Sequence, residues 1–275
     1  MKLTLGFSTC PNDTFIFDAI VNKKIDLQGF DFDIVMADVQ QLNTMTINNQ
    51  LDIAKISYHA YCYVANSYKI LNSGSALGFG NGPLLVSKGK IYPDEVPSLK
   101  IAIPGIHTTA FLLLKIFFPS LKQTKEYLFS DIQQAVIDNQ VDAGLIIHES
   151  RFTYQIKGLT LIADLGQMWE KNTNLPIPLG GIVIKRLLDN NIQAIFDKIL
   201  FESVKYAINN PNETLNFVRQ HAQEMDTKVM LQHIELYVNE FTQNLNNQGK
   251  NAIIYLLNEA KKLDIIQEIP QKIFV

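Results

Sequence analysis

The sequence predicts a two-lobed α/β protein with a helical C-terminal tail, and three observations carry that reading. First, the chain approximately repeats itself: residues 48–58 read NNQLDIAKISY and residues 138–148 read DNQVDAGLIIH. In each copy an Asn-Gln pair ends a helix and leads into an apolar strand with aspartate, Asp52 or Asp142, at its second position. The strands then stop on polar groups, Lys55, Ser57 and Tyr58 in the first and His148 in the second. Second, the alternation of strands and helices restarts near Lys100, after the Pro- and Gly-punctuated residues 89–97. Third, from Leu187 onward apolar residues recur at three- and four-residue spacing, the period of helices. Open α/β sheets bind ligands at the carboxyl edges of their strands, so two such edges place two lobes around one cleft.

The elements follow in order. Residues 2–7 alternate and read as a strand. They empty into the polar loop Ser8-Thr9-Cys10-Pro11-Asn12-Asp13, which has helix-start chemistry and leads into a helix over 14–22. Residues 32–36 form a second strand, Asp38 an N-cap and 39–49 a second helix. Residues 51–57 are the third strand, followed by an aromatic helix around 59–65. Residues 70–74 and 82–87 read as strands that flank the Gly-rich segment 76–82. In the second lobe, 100–103 are a strand, 104–108 a turn and 109–118 a helix. Ser130 caps a helix over 131–139, and 143–148 is the echoed strand. Residues 176–181 return the chain, and 182–184 are a strand that rejoins the first lobe. Breaks at 207–213 and 245–249 divide the tail into helices.

The first lobe accordingly spans residues 1–92 and 178–275, tail included, and the inserted second lobe 93–177. This is the pattern of a type II periplasmic-binding-protein-like fold, in which two lobes close on a small polar ligand. Segments 89–97 and 176–181 would serve as its hinge.

Composition narrows the function. With 275 residues, 47% hydrophobic and 19% charged, the chain buries a sizeable core and is not disordered. A net charge of −3 and no Lys/Arg cluster argue against a nucleic-acid partner. Two cysteines make no disulfide framework and no paired metal site. The longest apolar stretch, 110–118, contains Lys115 and falls far short of a membrane span. The first apolar run is too short for a signal peptide, so the expected location is the cytoplasm.

Two loops place hydroxyls and backbone N–H groups at a helix start, residues 8–14 and 105–109. Helix N-termini carry unsatisfied donors and a partial positive charge, so they receive anions without Lys or Arg. Thr108 and Thr109 either contact a ligand there or simply cap the helix. Lys55 shares a strand face with Ile53 and Ser57; it either snorkels to solvent or meets an anion in the cleft. His148, followed by Glu149, Ser150 and Arg151, is expected at a rim, where an imidazole titrating near neutrality serves as a general base. His107 is the rival base. HExxH zinc chemistry is excluded by Phe152, and His59, His107, His221 and His233 keep no metal-ligand spacing with His148, so no metal site is expected. Cys10, at a helix start, is placed for a lowered thiol pKa. Neither GxGxxG nor GxxxxGK[ST] occurs.

Taken together, SxCPNDTF at residues 8–15, Lys55-Ile56-Ser57, Asn81-Gly82-Pro83, Pro104-Gly105 with His107-Thr108-Thr109-Ala110, and His148-Glu149 resemble the 1,4-dihydroxy-6-naphthoate synthase family of menaquinone biosynthesis. The motifs run in order over roughly the first 185 residues; the tail fits by length and pattern. The resemblance implies a cytoplasmic lyase that cleaves cyclic dehypoxanthine futalosine. It implies no cofactor, because aromatisation of the product drives the reaction. It implies that His148 is the proton acceptor and that Lys55, Ile56, Ser57, Thr108 and Thr109 bind substrate, together with Asn12 and Asn81 of the matching motifs. Chorismate dehydratase, a sister enzyme of the same pathway, shares the fold; SxCPNDTF and the His148-Glu149 pair favour the synthase. A solute-binding protein of the same fold is the non-catalytic alternative, and it predicts an export signal or lipoprotein cysteine near the N-terminus.

Overall fold

The structure, a computed structural model, describes residues 1–222 and 226–275. The chain enters through β1 (Lys2–Phe7), α1 (Pro11–Val21), β2 (Asp31–Met36), α2 (Val39–Ile47), β3 (Ile53–Ser57) and α3 (Tyr58–Val64), then the short strands β4 (Tyr68–Ile70) and β5 (Ala76–Gly78). It crosses through β6 (Leu84–Ser87) into β7 (Lys100–Ile103), α4 (Thr109–Phe117), β8 (Gln123–Glu126), α5 (Ile132–Ile137) and β9 (Ala143–Ile146). The second lobe ends with α6 (Ser150–Thr153), β10 (Thr160–Asp164) and α7 (Leu165–Thr173). Strand β11 (Ile177–Lys185) returns the chain. The tail is α8 (Asn190–Asn209), α9 (Pro211–His221), α10 (Thr227–Tyr237), α11 (Glu240–Gln243) and α12 (Asn247–Lys262).

One sheet runs β2-β1-β3-β11-β4, with β5 also on β11; the other runs β8-β7-β9-β6-β10. The two orders are the same. In each, the lobe's first strand lies parallel between its second and third. The strand arriving from the other lobe, β11 or β6, then lies antiparallel beside the third.

This order corrects a boundary. Residues 82–87 were assigned above to the first lobe, but Leu84–Ser87 pairs with Ala143–Ile146 of the second sheet. An apolar run such as Leu84-Leu85-Val86 suits the interior of either sheet, and only its long-range partner decides between them. The passage therefore lies at residues 79–83, and 89–97 belong to the second lobe, where Pro93–Ser98 forms a 3₁₀ turn. This passage packs on the start of α7: Leu165 N–H donates to Pro83 O at 3.0 Å, and a Cβ on Gly82 would collide with the backbone of Gly166. Two smaller differences follow from weak local signals. Ser130 Oγ bonds the Asp131 carboxylate, so α5 starts without a side-chain cap. Strand β8, sequence QTKE, is exposed and polar throughout and shows no alternation.

The echoed segments share their backbone devices. Asn49 (φ 57°) and Asn139 (φ 55°) take the left-handed conformation just past α2 and α5. Gln50 N–H then reaches Met45 O, and Gln140 N–H reaches Ala135 O, each at 2.9 Å. Asparagine tolerates positive φ better than most residues, and this pairing closes the helix end. Asp52 accepts the Thr4 N–H and hydroxyl from β1 and Lys185 Nζ from β11; Asp142 accepts the Lys100 N–H from β7. Each aspartate ties the entry of a third strand to that of the first.

The first sheet is covered on both faces. Leu5, Phe7 and Ile53 pack with Phe17 of α1 and Phe196 of α8; Ala54 and Ile56 pack with Leu42 of α2 and Leu256 of α12. Phe7 and Phe17 stack with ring centroids 4.5 Å apart. Burying each such ring is worth roughly 1.5–3 kcal/mol, which fixes α1, and the residues of its first turn, against the sheet.

Candidate active site

The carboxyl ends of β1, β3, β7 and β9 open on one cleft of about 700 Å³, mouth included. Asn12, Lys55, Ile56, Ser57, Asn81, Thr108, Thr109 and His148 all line it.

On the first lobe the central group is one the sequence reading passed over. Asp13, in the first turn of α1, accepts the Ser8 N–H and hydroxyl at Oδ2 (3.3 and 2.7 Å). Its Oδ1 accepts from Asn12 Nδ2 at 2.9 Å and from Lys55 Nζ. Both side chains of the ion pair are buried, Lys55 8% and Asp13 4% exposed. Lys55 therefore does not snorkel, and the anion it meets is the protein's own. The pair is neutral as a unit, and an ammonium holds three N–H donors, of which Asp13 takes one. Beside it, Asn43 Oδ1 accepts Ser57 N–H at 2.9 Å and Asn43 Nδ2 donates to Ser57 Oγ at 3.1 Å. Ser57 Oγ is thereby fixed as an acceptor, and its own proton remains for a ligand.

On the second lobe the threonine hydroxyls are committed within the protein. Thr108, the N-cap of α4, donates to Gly105 O at 2.8 Å and accepts from Phe111 N–H. Thr109 donates to Leu179 O on β11 at 2.6 Å and accepts from His59 N–H. The N–H groups of Thr109 and Ala110 stand ahead of the first intrahelical bond, Leu112 N–H to Thr108 O, and both residues line the cleft. His107 is docked on α2: its N–H donates to Gln40 Oε1, its Nδ1 bonds Gln40 Nε2 at 3.1 Å, and its carbonyl accepts from Asn43. It does not line the cleft.

His148 follows β9 with φ 57°. It is not the open rim residue expected from its polar neighbours. Its ring lies between Phe129 (edge-on, centroids 4.9 Å apart) and His233 (14° from parallel, 6.0 Å). Nε2 is buried without a hydrogen-bond partner in the protein. Burial pushes its pKa down to about 4; the Asp13 carboxylate opposes this and the Lys55 cation adds to it. The ring is thus neutral at pH 7, and its titration lies well below the neutral range expected from sequence.

Asn81 is 1% exposed, and neither end of its amide has a protein partner. Cys10 is a second correction: it does not line the cleft, and burial, then the Glu149 and Asp13 carboxylates, push its thiol pKa up, not down. The tail contributes two residues with no motif to announce them. Tyr237 lines the cleft and donates to Asn81 O at 3.2 Å, and buried His233 bonds Asn12 Oδ1 through Nε2 at 3.0 Å. Helical periodicity marks both as inward-facing and says nothing about their chemistry. Among the described residues no group of three or more His, Cys, Asp or Glu is placed to hold a metal, and no helix is long and apolar enough to cross a membrane. Chemically the cleft offers a neutral imidazole nitrogen, an unpaired amide and several N–H and O–H donors, with no net positive charge.

A family model described as menaquinone biosynthesis matches residues 3–262. A 1,4-dihydroxy-6-naphthoate synthase of Thermus thermophilus is 40% identical over 99% of both chains. A protein of the same name from Streptomyces coelicolor is 39% identical over 94% of this chain and 92% of its own. Among solved structures, an Archaeoglobus fulgidus protein superposes with a TM-score of 0.91 at 33% identity, over 96% of this chain and 98% of that one. A Candida albicans protein described as having the generic periplasmic binding protein fold gives 0.73 at 13% identity, over 100% and 96%. The fold is therefore that of the two-lobed periplasmic binding proteins, and the chain belongs to the menaquinone-biosynthesis family.

Proposed function

We propose that this protein is a carbon–carbon lyase that converts cyclic dehypoxanthine futalosine to 1,4-dihydroxy-6-naphthoate, with His148 as the general base. The observation that carries the reading is the His148 Nε2 atom, buried and unpartnered beside the cleft that His148 lines. A neutral imidazole in that position accepts a proton without first having to lose one. Removal of a substrate proton to His148 starts the cleavage, and the C–C bond breaks as the naphthoate ring aromatises. The departing fragment, which keeps the electron pair of that bond, takes up a proton, so one proton is removed and one returned overall.

The substrate carries a carboxylate on an aromatic ring and a ribose-derived ring with hydroxyls. The carboxylate suits the N–H groups at the start of α4, whose residues line the cleft, whereas the loop leading into α1 already carries an anion of its own, the Asp13 carboxylate bonded to Ser8 and Lys55. Lys55, Ser57, Asn12 and Asn81 surround the remainder. The threonines take part through backbone N–H groups and not through their hydroxyls, both of which are used internally.

Incubation of the purified protein with the cyclic futalosine derivative, followed by mass spectrometry, tests the reading. Naphthoate should appear with wild type and be strongly reduced with His148→Asn. Turnover of chorismate instead would identify the sister dehydratase, and binding without turnover a solute-binding protein.

A further inference from the structure

Helix α10 belongs to the tail, yet its residue His233 stands behind the cleft, fully buried, in contact with both lobes. On the first-lobe side its Nε2 is 3.0 Å from Asn12 Oδ1. On the second-lobe side its ring lies within 14° of parallel to that of His148, and its Nδ1 is 3.8 Å from Glu149 Oε2. The direction of the bond to Asn12 is fixed by what lies beyond it. Asn12 Nδ2 donates to Asp13 Oδ1, and flipping the amide would turn its oxygen onto that carboxylate. Asn12 Oδ1 is therefore the acceptor, and His233 carries its proton on Nε2. The donors run from His233 to Asn12 to Asp13, and Asp13 in turn holds Lys55 Nζ. Burial, followed by the neighbouring His148, Lys55 and Arg151, keeps the His233 ring uncharged with its single proton on Nε2, so it is a fixed donor and not a second base. His233 itself does not line the cleft.

We propose that His233 is a positioning residue. Through Asn12 its edge holds the Asp13–Lys55 pair of the first lobe, and its face braces the His148 imidazole of the second. The two groups come into register only when the tail stands between them. The inference rests on His148 being the base.

Two variants of the full chain separate the donor from mere filling of space. His233→Phe keeps a flat ring and removes the donor; His233→Gln can still donate to Asn12. We expect His233→Phe to fold and to lose about 10- to 100-fold in kcat with KM little changed, the order expected when a buried acceptor loses its donor. His233→Gln should recover most of that loss. Equal activity of the two variants, or a loss confined to KM, overturns the proposal. Nitrogen-15 NMR of the imidazoles gives a readout independent of turnover. Wild type should show His233 protonated at Nε2, and His233→Phe should shift the His148 nitrogen resonances; unchanged His148 resonances overturn the proposal. If wild type makes no naphthoate, the lyase reading falls and the NMR result alone decides the positioning role. Should His233→Phe not fold, Asn12→Ala breaks the same chain at its next link, and it must lower kcat and move the His148 resonances or the proposal falls.

Discussion

The segment β1-α1-β2-α2-β3 and the segment β7-α4-β8-α5-β9 are built alike, down to the left-handed asparagine and the strand-tying aspartate, yet they present opposite chemistry to the cleft. In the first, Asp13 in the first turn of α1 accepts from Ser8 and from Lys55 of the third strand, so the lobe offers a self-neutralised ion pair. In the second, the α4 start keeps its N–H groups and the third strand is apolar until it releases His148 into a turn. The scaffold fixes where side chains appear, and a few substitutions at strand ends decide what they do. One copy holds a buried ion pair and the other a neutral imidazole and unfilled helix-start N–H groups.

The largest expected effect tests the second copy. His148→Asn should preserve folding and ligand binding and lower turnover by about 10²- to 10⁴-fold, the usual worth of a general base. Near wild-type turnover would dissolve the contrast between the lobes.

Lys55→Met tests the first copy. It leaves the Asp13 carboxylate buried without its cation, at a cost of about 3–5 kcal/mol in urea unfolding. Adding Asp13→Asn should restore much of that loss, because the buried charge is then gone. A single-variant loss below about 1 kcal/mol would mean that solvent reaches the pair.

Acid separates the copies by another route. His59 titrates at about 4 and His233 well below its ordinary value, each chiefly because of burial. Below pH 6.5 the unfolded chain takes up protons that these folded sites refuse, so stability falls as pH drops from 6.5 towards 4. The slope is about 1.4 kcal/mol per pH unit for each site, seen as a falling melting temperature. Over the same range kcat/KM should hold and then drop near pH 4 as His148 protonates. An acid limb at 6.5 would mean that the imidazole is hydrated.

A smaller effect probes what the copies share. Asn49→Ala and Asn139→Ala should each cost about 1 kcal/mol, because alanine resists the left-handed conformation. Markedly unequal losses would show that the two helix ends are not equivalent.

Much of this was legible in the residues. The echo at Asp52 and Asp142 disclosed two lobes because aspartate at a strand entry and Asn-Gln at a helix end are local devices that survive in the order of residues. The motifs placed Lys55, Ser57, Asn81, Thr108 and His148 at one cleft for the same reason. What escaped notice depends on distant partners. Leu84–Ser87 could be assigned only by its pairing with Ala143–Ile146, and His233 only by meeting Asn12 across 221 positions of chain. The low pKa of His148 belongs with these, since it comes from what surrounds the ring and not from the polar residues that follow it.

The loop after β7 does more than begin a helix. His107, Thr108 and Thr109 bond Gln40 and Asn43 on α2, His59 on α3 and Leu179 on β11, all across the cleft. Each bond is worth about 0.5–1.5 kcal/mol net of water, and any parting of the lobes along this seam has to break them together. For a molecule that can enter only when the lobes part, apparent association slows in proportion to the open fraction. Thr109→Val removes two of these ties, its bonds to Leu179 and His59, and touches neither Lys55 nor His148. Stopped-flow should record faster entry and faster escape with that variant. An unaltered entry rate would mean that the gate lies elsewhere. If entry does quicken, Thr109 sets tempo as much as affinity, and selection on it would act on traffic through the cleft.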